Sequence, residues 1–198
     1  PSSAVTVLET QMLEVYRYEQ SLGNLINDVR PIIFLAGPTV RGHQPHLTSW
    51  RFEAIEEFKR QGFDGILIVP EFTSNTESDK GKLWIPAWEF AGLCASDINL
   101  FWIPRTKELI GLTTNHEHGF WLARKPRKMV YGRPVDSYRN TYLDLMFDFD
   151  AQQEGRSKDI IHDSLSATVE ASIKKALAYP KKYRERSLVQ VPSPYGAF

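Results

Sequence analysis

Asn99-Leu-Phe-Trp-Ile103, then Gly111-Leu-Thr-Thr-Asn-His-Glu-His-Gly119, then Phe120-Trp-Leu-Ala123 form the stretch on which the fold turns. The first run is apolar without alternation, which suits a strand buried on both faces. The last reads as the opening turns of a helix. A loop between a strand's carboxyl end and a helix's amino end is where open α/β sheets place their chemistry. Glu117 stands at that helix entrance between His116 and His118.

The same grammar runs outward in both directions. Residues 31–36 and 65–69 are β-branched and apolar and read as buried strands, as do 98–103 and 128–131. Between them lie helical stretches at 50–61, 86–96 and 115–124. Ser49 caps the first, Phe52, Ile55 and Phe58 share a face, Glu56 and Arg60 pair, and Gly62 ends it. Strands alternating with helices of about ten residues imply βαβ units with right-handed crossovers. The expected fold is α/β: an open, mostly parallel, Rossmann-like sheet flanked by helices, in a single domain. Residues 132–158 read as irregular. Residues 158–178 carry Ile160, Ile161, Leu165, Val169, Ile173 and Leu177 at three- or four-residue spacing and read as one long helix. Residues 1–30 form an amino-terminal extension, expected to pack on the core or on a second subunit, of ambiguous pattern: Val5, Val7 and Leu8 fit a strand, while Met12, Val15, Tyr16 and Glu19 fit a helical face. The main domain spans 31–180, and 181–198 form an extended tail.

Composition narrows the function. The chain has 198 residues, 42% hydrophobic and 24% charged, with 24 basic and 24 acidic side chains. A zero net charge gives no reason to expect a nucleic-acid or anionic-membrane partner. No apolar run approaches the ~20 residues that span a bilayer, and residues 1–4 lack the features of a signal peptide, so a cytoplasmic protein is expected. The single cysteine, Cys94, lies in an apolar helical context and reads as buried filler. His43 and His46 fall in a loop, and His116 and His118 are two apart on a helix and point away from each other, so no metal is expected. Gly37-Pro38-Thr39-Val40-Arg41-Gly42 matches neither a dinucleotide fingerprint nor a Walker loop. Its amides and Arg41 could still meet a phosphate or a sugar.

Glu117 has two readings. Thr114-Asn-His-Glu117 fits a capping box, in which the glutamate folds back onto the cap amide. Alternatively it is a carboxylate nucleophile, kept ionised by the positive helix end and aimed at a sugar C1′. Pattern does not separate them. Asp97, at the entry to a strand, satisfies backbone amides or serves the site. Glu89, eight residues earlier, is a solvated side of its helix or a ligand for a sugar hydroxyl.

Taken in order, Phe34-Leu-Ala-Gly-Pro38, Trp88-Glu89, Asp97-Ile-Asn-Leu-Phe-Trp-Ile-Pro104, Thr114-Asn-His-Glu-His-Gly119, Gly132-Arg-Pro134 and Asn140-Thr-Tyr-Leu-Asp144 resemble the nucleoside 2-deoxyribosyltransferase family, in particular its transferase-like branch. The resemblance covers roughly residues 31–145. It implies a flavodoxin-like sheet, no cofactor, and a place in nucleoside salvage, with deoxynucleosides and nucleobases as partners. It assigns Glu117 as nucleophile and gives catalytic parts to Glu89 and Asp97. Gly37, Pro38, Arg41, Trp88, Asn115, Asn140 and Tyr142 become substrate contacts. Asn140 and Tyr142 match a segment lent to a neighbouring subunit, which implies a homo-oligomer with shared sites. Two departures stand out. The family's first strand often carries a tyrosine that orients the nucleophile, where this chain has Ile33 and Phe34. Its base-contacting aspartate has no clear match, and Glu108 and Asn115 are the candidates to take its place. Arg41-Gly42 resembles the relatives that hydrolyse deoxynucleoside monophosphates, so an N-glycosidase is the rival reading. A module that binds a nucleotide without turnover is the third.

Overall fold

The computed structural model describes residues 13–40, 44, 46–73, 82, 84–156 and 159–179. Five parallel strands form one sheet: β1 (Glu14–Tyr16), β2 (Ile32–Ala36), β3 (Ile66–Ile68), β4 (Ile98–Trp102) and β5 (Met129–Gly132). Their order is β1-β3-β2-β4-β5. Five helices flank them: α1 (Trp50–Arg60), α2 (Ile85–Ala95), α3 (Leu112–Arg124), α4 (Thr141–Gln153) and α5 (Leu165–Ala178). With β1 set aside, the order is that of a flavodoxin-like sheet. The chain leaves β2 toward β3 on one side and returns to β4 on the other. The crevice between β2 and β4, outside their carboxyl ends, is therefore the switch point.

The strands read as unbroken apolar runs because both faces are covered. Ile32, Phe34, Phe101 and Tyr131 point to one core, shared with α2, α3 and α4. Ile33, Leu35, Leu100 and Val130 point to the other, shared with α1 and α5. The alternation is the two-residue period of the pleat. On α2, Gly92 lies against Phe34, where a Cβ would come within 2.8 Å of the ring. This close approach seats α2 on the sheet.

Several elements differ from the sequence reading. Residues 14–16 are an edge strand, with Val15 opposite Leu67, so this part of the 1–30 segment belongs to the sheet rather than packing upon it. Val5, Val7, Leu8 and Met12, and the tail from 180, lie outside the described residues. Residues 132–158 are not wholly irregular, because α4 occupies their centre and buries Leu143, Phe147 and Ala151 at four-residue spacing. Tyr131 and Arg133 both donate to Asp144 and tie α4 to β5. The last helix begins at Leu165, not at 158. Ser164 caps it, and His162 before it pairs with Gly132 at the sheet edge. Ile160 and Leu177, expected on its buried stripe, are exposed. On α1 the buried face is Trp50, Arg51, Ala54, Ile55 and Phe58, with Phe52 turned outward. Arg60 pairs with Glu57 rather than Glu56.

Arg51 is 1% exposed. Its guanidinium donates to the carbonyls of Leu35 (3.0 Å), Gly37 (2.8 Å) and Pro38 (3.4 Å), and to the Glu71 carboxylate (2.8 Å). Glu71 follows β3 and also accepts from the Ser49 hydroxyl at 2.6 Å. One cation thus gathers the carboxyl ends of β2 and β3 to the start of α1. Removing one partner of a buried pair strands the other charge and costs about 3–5 kcal/mol. Arg51→Ala is expected to lose that much in urea unfolding, with Arg51→Lys recovering only part because an ammonium lacks the planar fork. A loss under about 1 kcal/mol for Arg51→Ala would show that the cluster does not hold the sheet ends.

Candidate functional site

A cavity of about 440 Å³ opens at the carboxyl ends of the strands, within the ~300–1,000 Å³ usual for small-molecule sites. Ala36 at the end of β2 with Gly37 and Thr39 after it, Pro70 after β3, Glu89 of α2, residues 108–111 of the loop after β4, and the first turn of α3 with Glu117 line it. Each part arrives for a local reason. At Gly37 a Cβ would lie 2.2 Å from the Trp102 carbonyl and 2.7 Å from the Trp50 ring, so only glycine lets the β2 turn pass there. At Gly111 the backbone is left-handed, with φ 62°, and α3 starts directly after it against Pro38.

The helix start settles one reading of Glu117. The cap of α3 is Gly111, not Thr114, and no side chain caps it. Thr114 and Glu117 both lie inside the helix, so the expected capping box is absent. Glu117 is the sixth helical residue. That is beyond the first turn, within which the helix end's positive potential acts. Its carboxyl is not held low. Burial first, then the nearby Glu89 carboxylate, push it up to about 8, against a smaller opposing pull from Arg51. The expectation of an ionised glutamate at a positive helix end is corrected: burial and the neighbouring Glu89 favour the protonated form of this carboxyl.

Glu89 faces the same cavity from the first half of α2. It accepts a hydrogen bond from the hydroxyl of Tyr18, a residue outside the sequence candidates. Tyr18 follows β1 and packs against Phe72, Trp84 and Trp88. The segment before Tyr18 is an edge strand that mixes Glu14 with Val15 and Tyr16, so it lacks the apolar run that marks the inner strands. Arg51 also lines the cavity and also went unnoticed. Its sign was present: it stands three, four and seven residues before Ala54, Ile55 and Phe58, on the buried face.

The remaining candidates divide. Gly37 lines the cavity. Pro38 sits beside it as an anchor, its carbonyl accepting from Trp50 and Arg51. Arg41 lies outside the described residues, as do Gly42 and His43. Asp97 is at the opposite edge of the sheet, where its carboxylate accepts from the Ile32 amide at 2.9 Å. Six helical steps to Ala95, roughly 9 Å of rise, and then the extended Ser96 carry the chain from Glu89 to Asp97, and only Glu89 lines the cavity, so the two acids do not share a site. Trp88 is buried and donates to the Gln20 carbonyl at 3.0 Å, packing behind Tyr18 rather than meeting a substrate. Asn115 does not line the cavity and accepts from Arg105. Asn140 is buried and donates within its own chain to the Ile103 carbonyl and the Ser137 hydroxyl, at 3.1 and 2.9 Å. Tyr142 is 72% exposed on α4. Glu108 lines the cavity mouth and meets His46 at 2.7 Å. His118 is buried among Phe101, Tyr131 and Phe147, where burial pulls its imidazole down to about 4. Half-buried Cys94 has its thiol pushed up by burial.

Among the described residues, no group of three His, Cys, Asp or Glu side chains could hold a metal ion, and no helix is long and apolar enough to cross a membrane. Neither the models of known protein families nor the curated proteins yield a match to this chain.

A raised carboxyl in the folded state binds a proton that the unfolded chain releases above about pH 4. The stability this group contributes is complete below that point and is lost as pH rises through about 8. Glu117→Gln removes the dependence. Its melting temperature is expected to exceed the parent's by more at alkaline pH than at pH near 5, by roughly 2–4 °C per kcal/mol recovered. Equal melting shifts across that range in calorimetry would contradict a buried, protonated Glu117.

Proposed function

We propose that the protein is a nucleoside 2-deoxyribosyltransferase that exchanges nucleobases on 2′-deoxyribose, with Glu117 as the nucleophile. The observation that carries this reading is the pair Glu117 and Glu89 facing one cavity at the switch point of the sheet. Two carboxylates on one cavity are what glycosidic chemistry with a covalent intermediate requires.

The steps balance as follows. The ionised Glu117 carboxylate attacks C1′, and a C1′–O bond forms as the C1′–N bond breaks. The bonding pair leaves with the base, which takes up a proton from water. A second base then attacks C1′ through its own ring nitrogen and loses its proton. The ester bond breaks, and its pair returns to Glu117. Two displacements give net retention. A deoxyribose, lacking the electron-withdrawing 2′-hydroxyl, tolerates the developing positive charge. Glu89 binds a sugar hydroxyl. A cavity volume in the small-molecule range and the resemblance of residues 31–145 both support the reading. The reaction calls for no cofactor, and the proposed partners are deoxynucleosides, nucleobases and further copies of the chain.

Deoxyadenosine mixed with a free pyrimidine base is expected to yield the exchanged nucleoside, and intact-protein mass is expected to show a deoxyribosyl adduct on Glu117. Glu117→Ala is expected to abolish both, with a loss of at least about 10³-fold. Sugar release that ignores the acceptor base would identify the N-glycosidase instead, and tight binding without product would identify the non-catalytic module. Only the ionised carboxylate attacks, so kcat/KM is expected to rise with pH and level off above about 8. A profile that stays flat through that range would remove Glu117 from the nucleophile's role.

A further inference from the structure

We infer that the outer face of α4 is a self-association surface, on which α4 of a second copy of this chain packs antiparallel about a two-fold axis. The surface gives a place to the further copies of the chain proposed above, and it is independent of the chemistry at Glu117.

Helix α4 is apolar on two sides. Leu143, Phe147 and Ala151 face inward and are buried. Tyr131 and Arg133 bind Asp144 from β5 and the loop after it, which fixes the helix in rotation. The opposite side carries Tyr142, Leu145, Met146 and Phe149, all exposed. Steps of three, four and seven residues from Tyr142 put these four on one helical face. A helix that is apolar all round belongs in an interior, and within one chain α4 is covered on one side only. The four side chains expose on the order of 400 Å² of mostly apolar surface. That is about half of the ~800 Å² each partner buries in a stable dimer, and the polar residues around the stripe form the rim that such interfaces also bury.

The pattern itself selects the partner. Reversed about the point midway between Leu145 and Met146, the stripe maps onto itself. Tyr142 of one copy then lies level with Phe149 of the other, and Leu145 lies level with Met146. Each aromatic ring meets a ring and each flexible aliphatic chain meets another, with no charged side chain inside the stripe. A two-fold interface requires this self-complementarity. The ends agree in charge. Exposed Arg139 precedes the helix and exposed Glu154 follows it, so antiparallel packing brings opposite charges together at each end. It also sets the positive amino end of each helix beside the negative carboxyl end of the other.

The test is sedimentation of the full chain without substrate, where a dimer is expected. Leu145→Lys and Met146→Asp are each expected to weaken self-association by at least about 100-fold, because each buries unpaired like charges beside the axis. Mixed together, these two variants are expected to regain a dimer holding one of each, since the lysine then meets the aspartate. Tyr142→Ser and Phe149→Ser add no charge and are expected to weaken the dimer by about 10-fold or more each. All four side chains are exposed within the chain, so circular dichroism is expected to show the fold unchanged in every variant. A dimer that persists in both charged variants would overturn the inference. So would an unsubstituted chain that stays monomeric at about 100 μM, which would leave the face to a different protein. Charged variants that remain monomeric on mixing would overturn the antiparallel arrangement. Failure of base exchange in a chain that dimerises as expected would remove the transferase reading and leave the surface standing.

Discussion

The buried guanidinium of Arg51 is the contact on which the rest of the site depends. A parallel sheet leaves the last carbonyls of each strand unpaired at its carboxyl edge, and an unpaired buried carbonyl is costly. Arg51 answers three of them after β2 and neutralises Glu71 after β3. Its charge is thereby committed to holding the cavity floor, with little left for the carboxylates above it. Glu71 in turn offers its carbonyl to Tyr18. The same cluster that closes the strand ends thus sets the position of the phenol on Glu89.

The electrostatics of Glu117 follow from where α3 begins. Three residues separate the expected cap at Thr114 from the observed cap at Gly111. Those three residues move the carboxylate out of reach of the helix end. Desolvation and the opposing charge of Glu89 then dominate, and both favour the neutral acid. In the proposed reaction this matters for timing: a buried carboxylic acid is a latent nucleophile, and it becomes reactive only when ionised.

Some of this was legible in the chain and some was not, for identifiable reasons. Strands β2 to β5 show in the sequence as apolar runs because the sheet is covered on both faces, and helices α1 to α3 show as stretches of about ten residues between them. Strand β1 does not stand out because it is an edge strand reading Glu14-Val15-Tyr16, without the unbroken apolar run that marks the equally short β3. Helix α4 hides behind its composition, since Asp144, Asp148 and Asp150 interrupt an apolar stripe set by Leu143, Phe147 and Ala151. The stripe that falsely extended α5 back to Ile160 and Ile161 has a different origin: that segment pairs with the edge of β5. At the site, Glu117, Glu89 and Gly37 were legible from order and spacing, whereas Tyr18 was not.

The sequence by itself determined an open parallel α/β sheet, the strand ends that would carry a site, and the acids from which that site would be drawn. These are local properties, written in hydrophobic period, glycine placement and residue order. Tertiary structure alone decided which acids meet. It placed Asp97 on the far edge, because a helix of eleven residues carries its two ends to opposite edges of the sheet. It brought Tyr18 to Glu89 across 71 residues of chain. It also reversed the expected charge of Glu117, because the proton affinity of a carboxyl depends on the solvent and charges around it, which only the folded packing supplies.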